Sequence, residues 1–231
     1  MGEDGQKMSK SRGNVINPDD VVNEFGADAM RPYLMFMGEF EEAKPWSTQS
    51  IMGVRRFLDR FDAAVHDVVH GGEKPVSDDL RRALHKTVKK AGADIEAFKF
   101  NTAIAAMMIL LNDWQRLGGG DREFCGVFVR LLAPFAPHLG EDLWELLGHD
   151  TSVFLADWPT WDEKLCVDAE VEMAVQVNGK VRDRLTVAVG LPEEELKEKA
   201  LALDKVKADI GERRVVRVVI VKDKLVSVVV A

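Results

Sequence analysis

Four residues near the start of the chain carry the groups needed to bind a polyphosphate. Lys7, Ser9, Lys10 and Ser11 lie within five residues, and Gly13 follows closely. Ammonium groups pair with phosphate oxygens, hydroxyl groups donate hydrogen bonds to them, and a glycine lets the backbone flex around an anion. A solvated basic tail has the same composition, because charged terminal segments are usually disordered. We interpret residues 1–14 as a mobile loop, and these residue types alone leave both roles open.

The elements that must position this loop are two short helices. Asn17 is a good N-cap and Pro18 suits the first helical position, with acidic residues in the first turn and Gly26 at the end. A second helix is predicted from Asp28 to about Met37, with Pro32 in its first turn, where proline is tolerated. A linker to Pro45 follows.

The next hundred residues predict an up-and-down helical bundle. Apolar residues recur at helical spacing in four segments. These begin at Ser47 or Thr48, at Ser77 or Asp78, at Asn101 and near Asp121. The third, to Leu117, is apolar most of the way round and should be central. Pro134 and Pro137 should break the fourth before a last stretch from His138 to Leu147.

The tail changes to a period of two, which is typical of half-buried strands. We predict strands over 171–177 and 181–189, a helix from Pro192 to about Ile210, and strands over 213–221 and 225–230. Asn178–Gly179 marks a hairpin. A two-residue turn would put Val175 opposite Arg182, so we predict a three-residue loop with Gly179 in the left-handed position.

Composition excludes several classes of protein. No apolar run reaches the roughly 18 residues of a membrane span, and residues 1–14 are too polar for a signal peptide. Cys125 and Cys166 are far apart, have no zinc-site spacing and read as buried small hydrophobes, which favours a reducing, cytoplasmic setting. His66, His70 and His149 have no partner spacing, and we expect no metal site.

The net charge of −8 argues mildly against a nucleic-acid partner, but its distribution qualifies this. Residues 1–165 carry 19 Lys and Arg against 27 Asp and Glu, whereas residues 166–231 carry 12 of each. Any RNA binding must therefore depend on local stripes of basic residues.

One candidate stripe, on the second helix of the bundle, contains Arg81, Arg82, Lys86, Lys89 and Lys90, with no acidic residue between its ends. Another, on one strand face of the tail, contains Lys180, Arg182 and Arg184, with Glu172 roughly opposite Arg184. A plain solvated face is the alternative for each stripe.

Longer motifs give the chain a family resemblance. Lys7–Asn14, followed by Pro18-Asp19 and Gly26-Ala27-Asp28, resembles the signature loop and following helix of aminoacyl-tRNA synthetases with a Rossmann-type catalytic domain. The resemblance is to the leucine, isoleucine and valine subgroup. Four later segments favour the bacterial leucyl-tRNA synthetase family: Lys44–Ser47, Gly53–Leu58, Pro134–Trp144 and Val175–Arg182.

The residue pattern thus predicts a mainly α fold, an up-and-down helical bundle followed by a small α+β (ββαββ) C-terminal domain, and the resemblance implies that the bundle is of the anticodon-binding type. We assign residues 1–45 to the loop and connecting helices, 46–148 to the bundle, 149–167 to a linker and 168–231 to the C-terminal domain.

The resemblance also implies an activity: joining leucine to ATP, with Mg²⁺, and then to tRNA(Leu). Lys10 matches the ATP-binding lysine of the family and is the candidate catalytic residue. Lys7, Met8, Ser9 and Ser11 complete the candidate ATP-binding loop. The two basic stripes become candidate tRNA contacts, the second at the tRNA elbow. A monomer without membrane contact is expected.

The family's other motifs are missing. We find no His-Ile-Gly-His-type signature and no inserted editing domain; His138–Glu141 is only superficially similar, since it ends in glutamate and lies in the bundle. We therefore expect a C-terminal fragment that is inactive alone. The alternatives are a stand-alone or split-subunit tRNA-binding module, or the same part of a valyl- or isoleucyl-tRNA synthetase.

Overall fold

A computed structural model describes residues 1–38, 42–167, 170–222 and 224–231. The chain forms two compact units, Met1–Cys166 and Val167–Ala231. The helices of the first unit are α1 Pro18–Phe25, α2 Ala27–Phe36, α3 Thr48–Gly71, α4 Asp78–Glu96, α5 Phe100–Leu117, α6 Arg122–Leu132, α7 Pro137–Leu146 and the single turn α8 Glu163–Cys166. Two 3-10 turns, Lys10–Arg12 and Val153–Leu155, complete it.

The predicted capping residues begin four of these helices. The side chains of Asn17, Ser47, Ser77 and Asp121 each accept a hydrogen bond from a backbone N–H in the first turn. Each cap satisfies an N–H that the helix itself leaves unpaired, which is why these boundaries can be read from sequence. The prediction for Pro32 is wrong, because this buried proline lies inside α2 and not in its first turn.

The core of the bundle is built around α5. This agrees with the prediction from its sequence, in which apolar residues lie on most faces of the helix. Its buried residues are Ala103, Ile104, Ala106, Met107, Leu110, Leu111 and Trp114. Phe61 of α3 and Phe128 of α6 are fully buried, with ring centroids 4.5 Å apart. Aromatic side chains such as these bury a large apolar area and contribute strongly to a core.

The chain turns sharply between α6 and α7, at Ala133–Ala136, which we call the α6–α7 corner. The two prolines break the helix there as predicted, and Pro137 becomes the first residue of α7. Gly140 of α7 lies directly against Ala133: a β-carbon at Gly140 would be 2.8 Å from that of Ala133. Helix α7 can approach Ala133 this closely because Gly140 has no side chain.

The second unit is a four-stranded sheet with two helices on one face. Its elements are β1 Glu170–Val177, β2 Lys180–Ala188, α9 Glu193–Ala202, α10 Asp204–Ile210, β3 Val215–Val221 and β4 Leu225–Val230. The strand order is β2-β1-β4-β3, and β1 and β4 are parallel. The single helix predicted to end at Ile210 is instead two, because Leu203 has an extended backbone. The second helix then brings Val206 into the core, fully buried.

The hairpin differs from the prediction in a specific way. Val177 pairs with Lys180, so the turn has two residues, Asn178 and Gly179, both with positive φ. The three-residue loop is therefore wrong, although Gly179 does adopt the left-handed conformation. Register is corrected by a bulge: Val175 pairs with Asp183 and Gln176 with Val181, which leaves Arg182 as the extra residue. Bulges insert one residue in this way and keep apolar side chains on the core face.

Candidate functional site

The segment Lys7–Asn14, which we call the lysine loop, presents its cations to solvent. Lys7 and Lys10 are exposed, and in the part of the chain that the structure describes neither forms an ion pair. Lys10 begins a 3-10 turn that ends at Gly13, where φ is +67°. The hydroxyl groups of Ser9 and Ser11 lie 2.8 Å apart. Two unpaired ammonium groups beside two hydroxyl groups are suited to bind a polyphosphate.

Both sides of the lysine loop are joined by one amide side chain. Asn14 Oδ1 accepts a hydrogen bond from the Ser9 backbone N–H at 2.8 Å. Asn14 Nδ2 donates to the Asp4 carboxylate, at 3.1 Å from Oδ2 and 3.3 Å from Oδ1. Asp4 also accepts from the Gln6 N–H, and this bond is the main reason that its pKa is lowered. The sequence alone predicts no individual role for Asp4 or Asn14.

The segment ahead of the loop is attached to the start of α3. Glu3 accepts hydrogen bonds from the Thr48 backbone N–H at 2.9 Å and from its hydroxyl group at 2.6 Å. The hydroxyl bond and then the backbone bond lower the pKa of Glu3. The Trp46 N–H donates to the Met1 carbonyl at 3.0 Å. A segment that the sequence predicts as mobile is thus hydrogen-bonded to the bundle.

The loop also has an apolar anchor. Met8 and Ile16 pack on a small cluster whose buried members are Val21, Tyr33, Trp46, Ile51 and Val54. Met8 was predicted as part of the ATP-binding loop. Its half-buried side chain holds the loop against this cluster, while the neighbouring lysines remain in solvent.

Two charged residues of α2 fix that helix to the α6–α7 corner and to the start of α7. Asp28 accepts a hydrogen bond from the Leu139 N–H at 2.6 Å and lies 2.9 Å from His138 Nδ1. Arg31 donates to the carbonyl groups of Pro134 at 3.0 Å and Phe135 at 3.3 Å. Asp28 belongs to the Gly26-Ala27-Asp28 motif, but the sequence alone predicts no contact for Asp28 or Arg31.

The first basic stripe is partly neutralised by a remote segment. On α4, Lys89 pairs with Glu163 of α8 at 2.7 Å, and Lys90 pairs with Asp94 at 2.8 Å. His85 accepts a hydrogen bond from the Asp162 N–H at 3.0 Å. The hydrogen bond to Glu163 raises the pKa of Lys89, and the bond from Lys89 lowers the pKa of Glu163. No acidic residue interrupts the stripe in sequence, but α8 supplies one in space.

The second basic stripe does not share one face. Arg184 pairs with Glu172, as predicted, and remains exposed. Arg182 is the bulge residue and pairs with Asp209 of α10 at 2.9 Å, so it points toward the helices of the unit. Lys180 is exposed beside the turn. The prediction that the three cations lie on one exposed strand face is wrong, because it depended on the three-residue loop.

Within the described residues, neither a cluster of potential metal ligands nor a helix of membrane-spanning character is found. Within residues 1–38, 42–167, 170–222 and 224–231, no group of three or more His, Cys, Asp or Glu side chains could hold a metal ion. Over the same ranges, none of the helices is long and apolar enough to cross a lipid bilayer.

Burial raises the pKa of the Cys125 thiol to about 12, and this side chain is fully buried.

Two family models match the chain. The anticodon-binding domain of tRNA ligase matches residues 78–198, which include α4 to α7 and the β1–β2 hairpin. Class I tRNA synthetases (I, L, M and V) match residues 1–46, which include the lysine loop. The first match covers more than half of the 231 residues.

Curated relatives and a solved structure agree with these matches. The leucine–tRNA ligases of Chlorobium phaeovibrioides and Sorangium cellulosum are each 47% identical, over 98% and 100% of this chain. The chain spans only 29% and 27% of their lengths. A solved ternary complex of Agrobacterium radiobacter K84 agnB2 LeuRS, tRNA and LeuAMS superimposes with a TM-score of 0.83, at 33% identity over 100% of this chain and 32% of that one. The chain therefore belongs to the tRNA ligase family, and its similarity to leucine–tRNA ligases extends over essentially its whole sequence.

Proposed function

We propose that this chain is part of a leucine–tRNA ligase, to which it supplies the loop that binds the phosphates of ATP and two units that contact tRNA(Leu). The observation that carries this proposal is the exposed, unpaired Lys10 in a loop that matches class I tRNA synthetases. Similarity to leucine–tRNA ligases over 98–100% of the chain supports leucine over valine or isoleucine.

The proposed chemistry is charge stabilisation by the lysine loop. The leucine carboxylate attacks the α-phosphate of ATP, and pyrophosphate leaves. Negative charge develops on the phosphate oxygens, and a preorganised ammonium group at Lys10 stabilises that transition state. Lys7 is a second cation, Ser9 and Ser11 donate hydrogen bonds, and Met8 anchors the loop. Mg²⁺ enters with ATP, and the leucyl group of the resulting adenylate then passes to the 3′ end of tRNA(Leu) as AMP leaves.

The proposed tRNA surface consists of cations on both units that are at least partly open to solvent. On α4 these are Arg81, Arg82, Lys86, Lys89 and Lys90; on the second unit, Lys180 and Arg184 remain exposed. Phosphate contact and RNA shape should dominate over base reading. Arg182 contributes less than Arg184: both form ion pairs, but the Arg182 side chain is only 36% exposed, whereas that of Arg184 is 71% exposed. We propose a monomer that works in the cytoplasm.

The direct test is Lys10→Ala in a full-length ligase that carries this sequence. Loss of one preorganised charge should slow pre-steady-state adenylate formation by about 100- to 1,000-fold, roughly 3–4 kcal/mol. Lys199→Ala, which removes an exposed lysine from α9, is the control and should leave the rate unchanged. A near-normal adenylate rate in Lys10→Ala would refute the proposed role.

Two further assays test the substrate and the part played by this chain. The full-length enzyme should charge tRNA with leucine in preference to valine or isoleucine, and a preference for either of those would contradict the assignment. The 231-residue chain alone should shift tRNA(Leu) in a gel without catalysing ATP–pyrophosphate exchange. Exchange by the chain alone would overturn the division of roles proposed here.

A further inference from the structure

We propose that Asn14 is a positioning residue for Lys10: its amide, held in one orientation by Asp4, joins the two sides of the lysine loop and fixes the backbone from which Lys10 projects. This inference rests on the proposed role of Lys10 in binding ATP. It adds specific contacts that hold the loop in the conformation described above.

The geometry begins at Ser9, the residue before Lys10. Its N–H donates to Asn14 Oδ1 at 2.8 Å, and its backbone is the N-cap of the 3-10 turn that Lys10 begins. A shift at Ser9 therefore moves the start of the turn and the lysine with it. Asn14 and Ser9 are both half-buried, so this bond is partly shielded from competing water.

Asp4 determines which way the Asn14 amide points. An ionised carboxylate only accepts hydrogen bonds, so it selects the NH₂ end of the amide. Asn14 Nδ2 faces Asp4 at 3.1 Å, and the opposite end, Oδ1, is then directed to the Ser9 N–H. The Gln6 N–H holds the carboxylate from the other side at 2.9 Å. The amide is thus bound at both ends, and rotation by 180° would break both contacts.

Gly2 provides the space for this arrangement. A β-carbon at Gly2 would lie 2.8 Å from Asp4 Oδ1 and 3.1 Å from Asn14 Nδ2. The backbone of Gly2 is also fixed, because its N–H donates to the Gln6 carbonyl at 2.9 Å and its carbonyl accepts from the Gly5 N–H at 3.0 Å. Residues 2–6 form a tight turn on which the Asp4–Asn14 pair is built.

Exchanging the two partners tests the positioning role. Asn14→Asp keeps the acceptor for Ser9 but places a carboxylate beside Asp4, and Asn14→Ala removes both contacts. In the double variant Asp4→Asn/Asn14→Asp, the amide introduced at position 4 can donate to the carboxylate introduced at position 14 and still accept from the Gln6 N–H. This variant also keeps the net charge of the original protein. Asn17→Asp is the matched control, since it adds the same charge three residues away and aspartate caps a helix as well as asparagine.

The first readout needs no ATP: amide hydrogen exchange at Ser9, by NMR on the 231-residue chain. Opening of the contact should speed exchange by about tenfold or more in Asn14→Ala and Asn14→Asp, with recovery in the double variant. Asn17→Asp should exchange as the original does, and thermal unfolding identifies any variant that has lost its fold.

The second readout is adenylate formation in the full-length ligase. Displacing Lys10 by about 1 Å should lower kcat by roughly 10- to 100-fold in both single variants, with the KM for leucine unchanged. The double variant should recover to within about fivefold. The positioning role would be overturned if the double variant failed to restore both readouts. A normal kcat in Asn14→Ala, while Lys10→Ala is inactive, would overturn it as well. A normal rate in Lys10→Ala would instead refute the proposed function, and Ser9 exchange would still report on the contact itself.

Discussion

Asp28 on α2 accepts a hydrogen bond from the backbone N–H of Leu139 on α7 at 2.6 Å, across 111 residues of sequence. Three residues along α2, Arg31 donates to the carbonyl groups of Pro134 and Phe135 in the α6–α7 corner, just beyond the end of α6. The negative Asp28 carboxylate therefore lies at the N-terminus of α7, and the positive Arg31 guanidinium lies near the C-terminus of α6. Each charge interacts favourably with the dipole of the helix beside it. Together the two residues join α2 to the α6–α7 corner and to the first turn of α7.

The first prediction is that Asp28→Ala destabilises the first unit by about 1–2 kcal/mol, because it leaves the Leu139 N–H without its cap. Asp28→Asn should cost less, since the amide oxygen can still accept. Urea unfolding followed by tryptophan fluorescence measures this in one unit only, because all five tryptophans lie within Met1–Cys166. Glu24→Ala on the exposed side of α1 is the control, and an equal loss in that variant would argue against a specific cap.

The second prediction concerns two glycines within helices. A β-carbon at Gly140 would meet the Ala133 β-carbon at 2.8 Å and its α-carbon at 2.9 Å, whereas at Gly53 the nearest atom is Arg56 Nη2 at 4.0 Å. Gly140→Ala should destabilise the unit by about 1–3 kcal/mol through overpacking. Gly53→Ala should stabilise it by up to about 1 kcal/mol through helix propensity. The same unfolding assay measures both, and a stabilising Gly140→Ala would contradict the close packing at the corner.

The third prediction is a loss of stability at alkaline pH that depends on Cys125. Burial, followed by the charges of Asp121 and Glu73, raises the pKa of this thiol from 9.0 to about 12. Because the folded state holds the proton more tightly, the stabilisation is fully present below pH 9 and is lost as the pH rises from 9 toward 12. Between about pH 9 and 10 the free energy of unfolding should fall by about 1 kcal/mol per pH unit from this thiol alone.

Cys125→Ala isolates that contribution. The substitution removes buried volume, a cost that does not depend on pH, and the slope between about pH 9 and 10 should become flatter by about the same 1 kcal/mol per unit. Cys166→Ala is the control, since Cys166 is only half-buried and its pKa is raised less. Identical slopes in Cys125→Ala and the original chain would exclude the thiol as the cause.

Much of the fold could be predicted because its determinants are local. Helix caps such as Asn17 and Ser77 act within three residues, and the change from a helical period to a strand period marks the tail without knowledge of any tertiary contact. The family motifs around Lys10 pointed to the loop for the same reason: they are contiguous in sequence. Leu203 interrupts the predicted long helix through its backbone conformation alone, and nothing in its residue type announces that break.

The features that sequence reasoning missed are those that depend on distant partners. Glu163 lies 74 residues from Lys89, so the basic stripe on α4 looked uninterrupted. The bulge at Arg182 depends on the pairing of two strands, and it decides that this side chain points to Asp209 instead of solvent. The contacts of Asn14 are closer in sequence, but an asparagine after a glycine suggests only a turn unless its partners are known.

The fourth prediction tests whether α8 limits tRNA binding at α4. Glu163→Gln removes the negative charge that pairs with Lys89. In the original chain Trp161 Nε1 donates to Glu163 Oε1 at 3.0 Å, and the glutamine keeps an oxygen that can accept this bond. If α4 lies along the tRNA, the released lysine should add up to about one phosphate contact, so the slope of log affinity against log salt should steepen by up to about 0.9. Arg81→Ala should make the same slope shallower by a similar amount.

Fluorescence anisotropy with labelled tRNA(Leu) over a series of KCl concentrations measures both slopes on the 231-residue chain. Glu198→Gln on α9 removes an exposed acidic residue outside α4 and α8, and it separates the effect of Glu163 from a general change in net charge. Because the Lys89–Glu163 pair is exposed, salt should weaken it as it weakens phosphate contacts, and the gain from Glu163→Gln should be largest at low salt. Unchanged slopes in both Glu163→Gln and Arg81→Ala would mean that α4 faces away from the tRNA, and the surface on the second unit would then have to carry the binding.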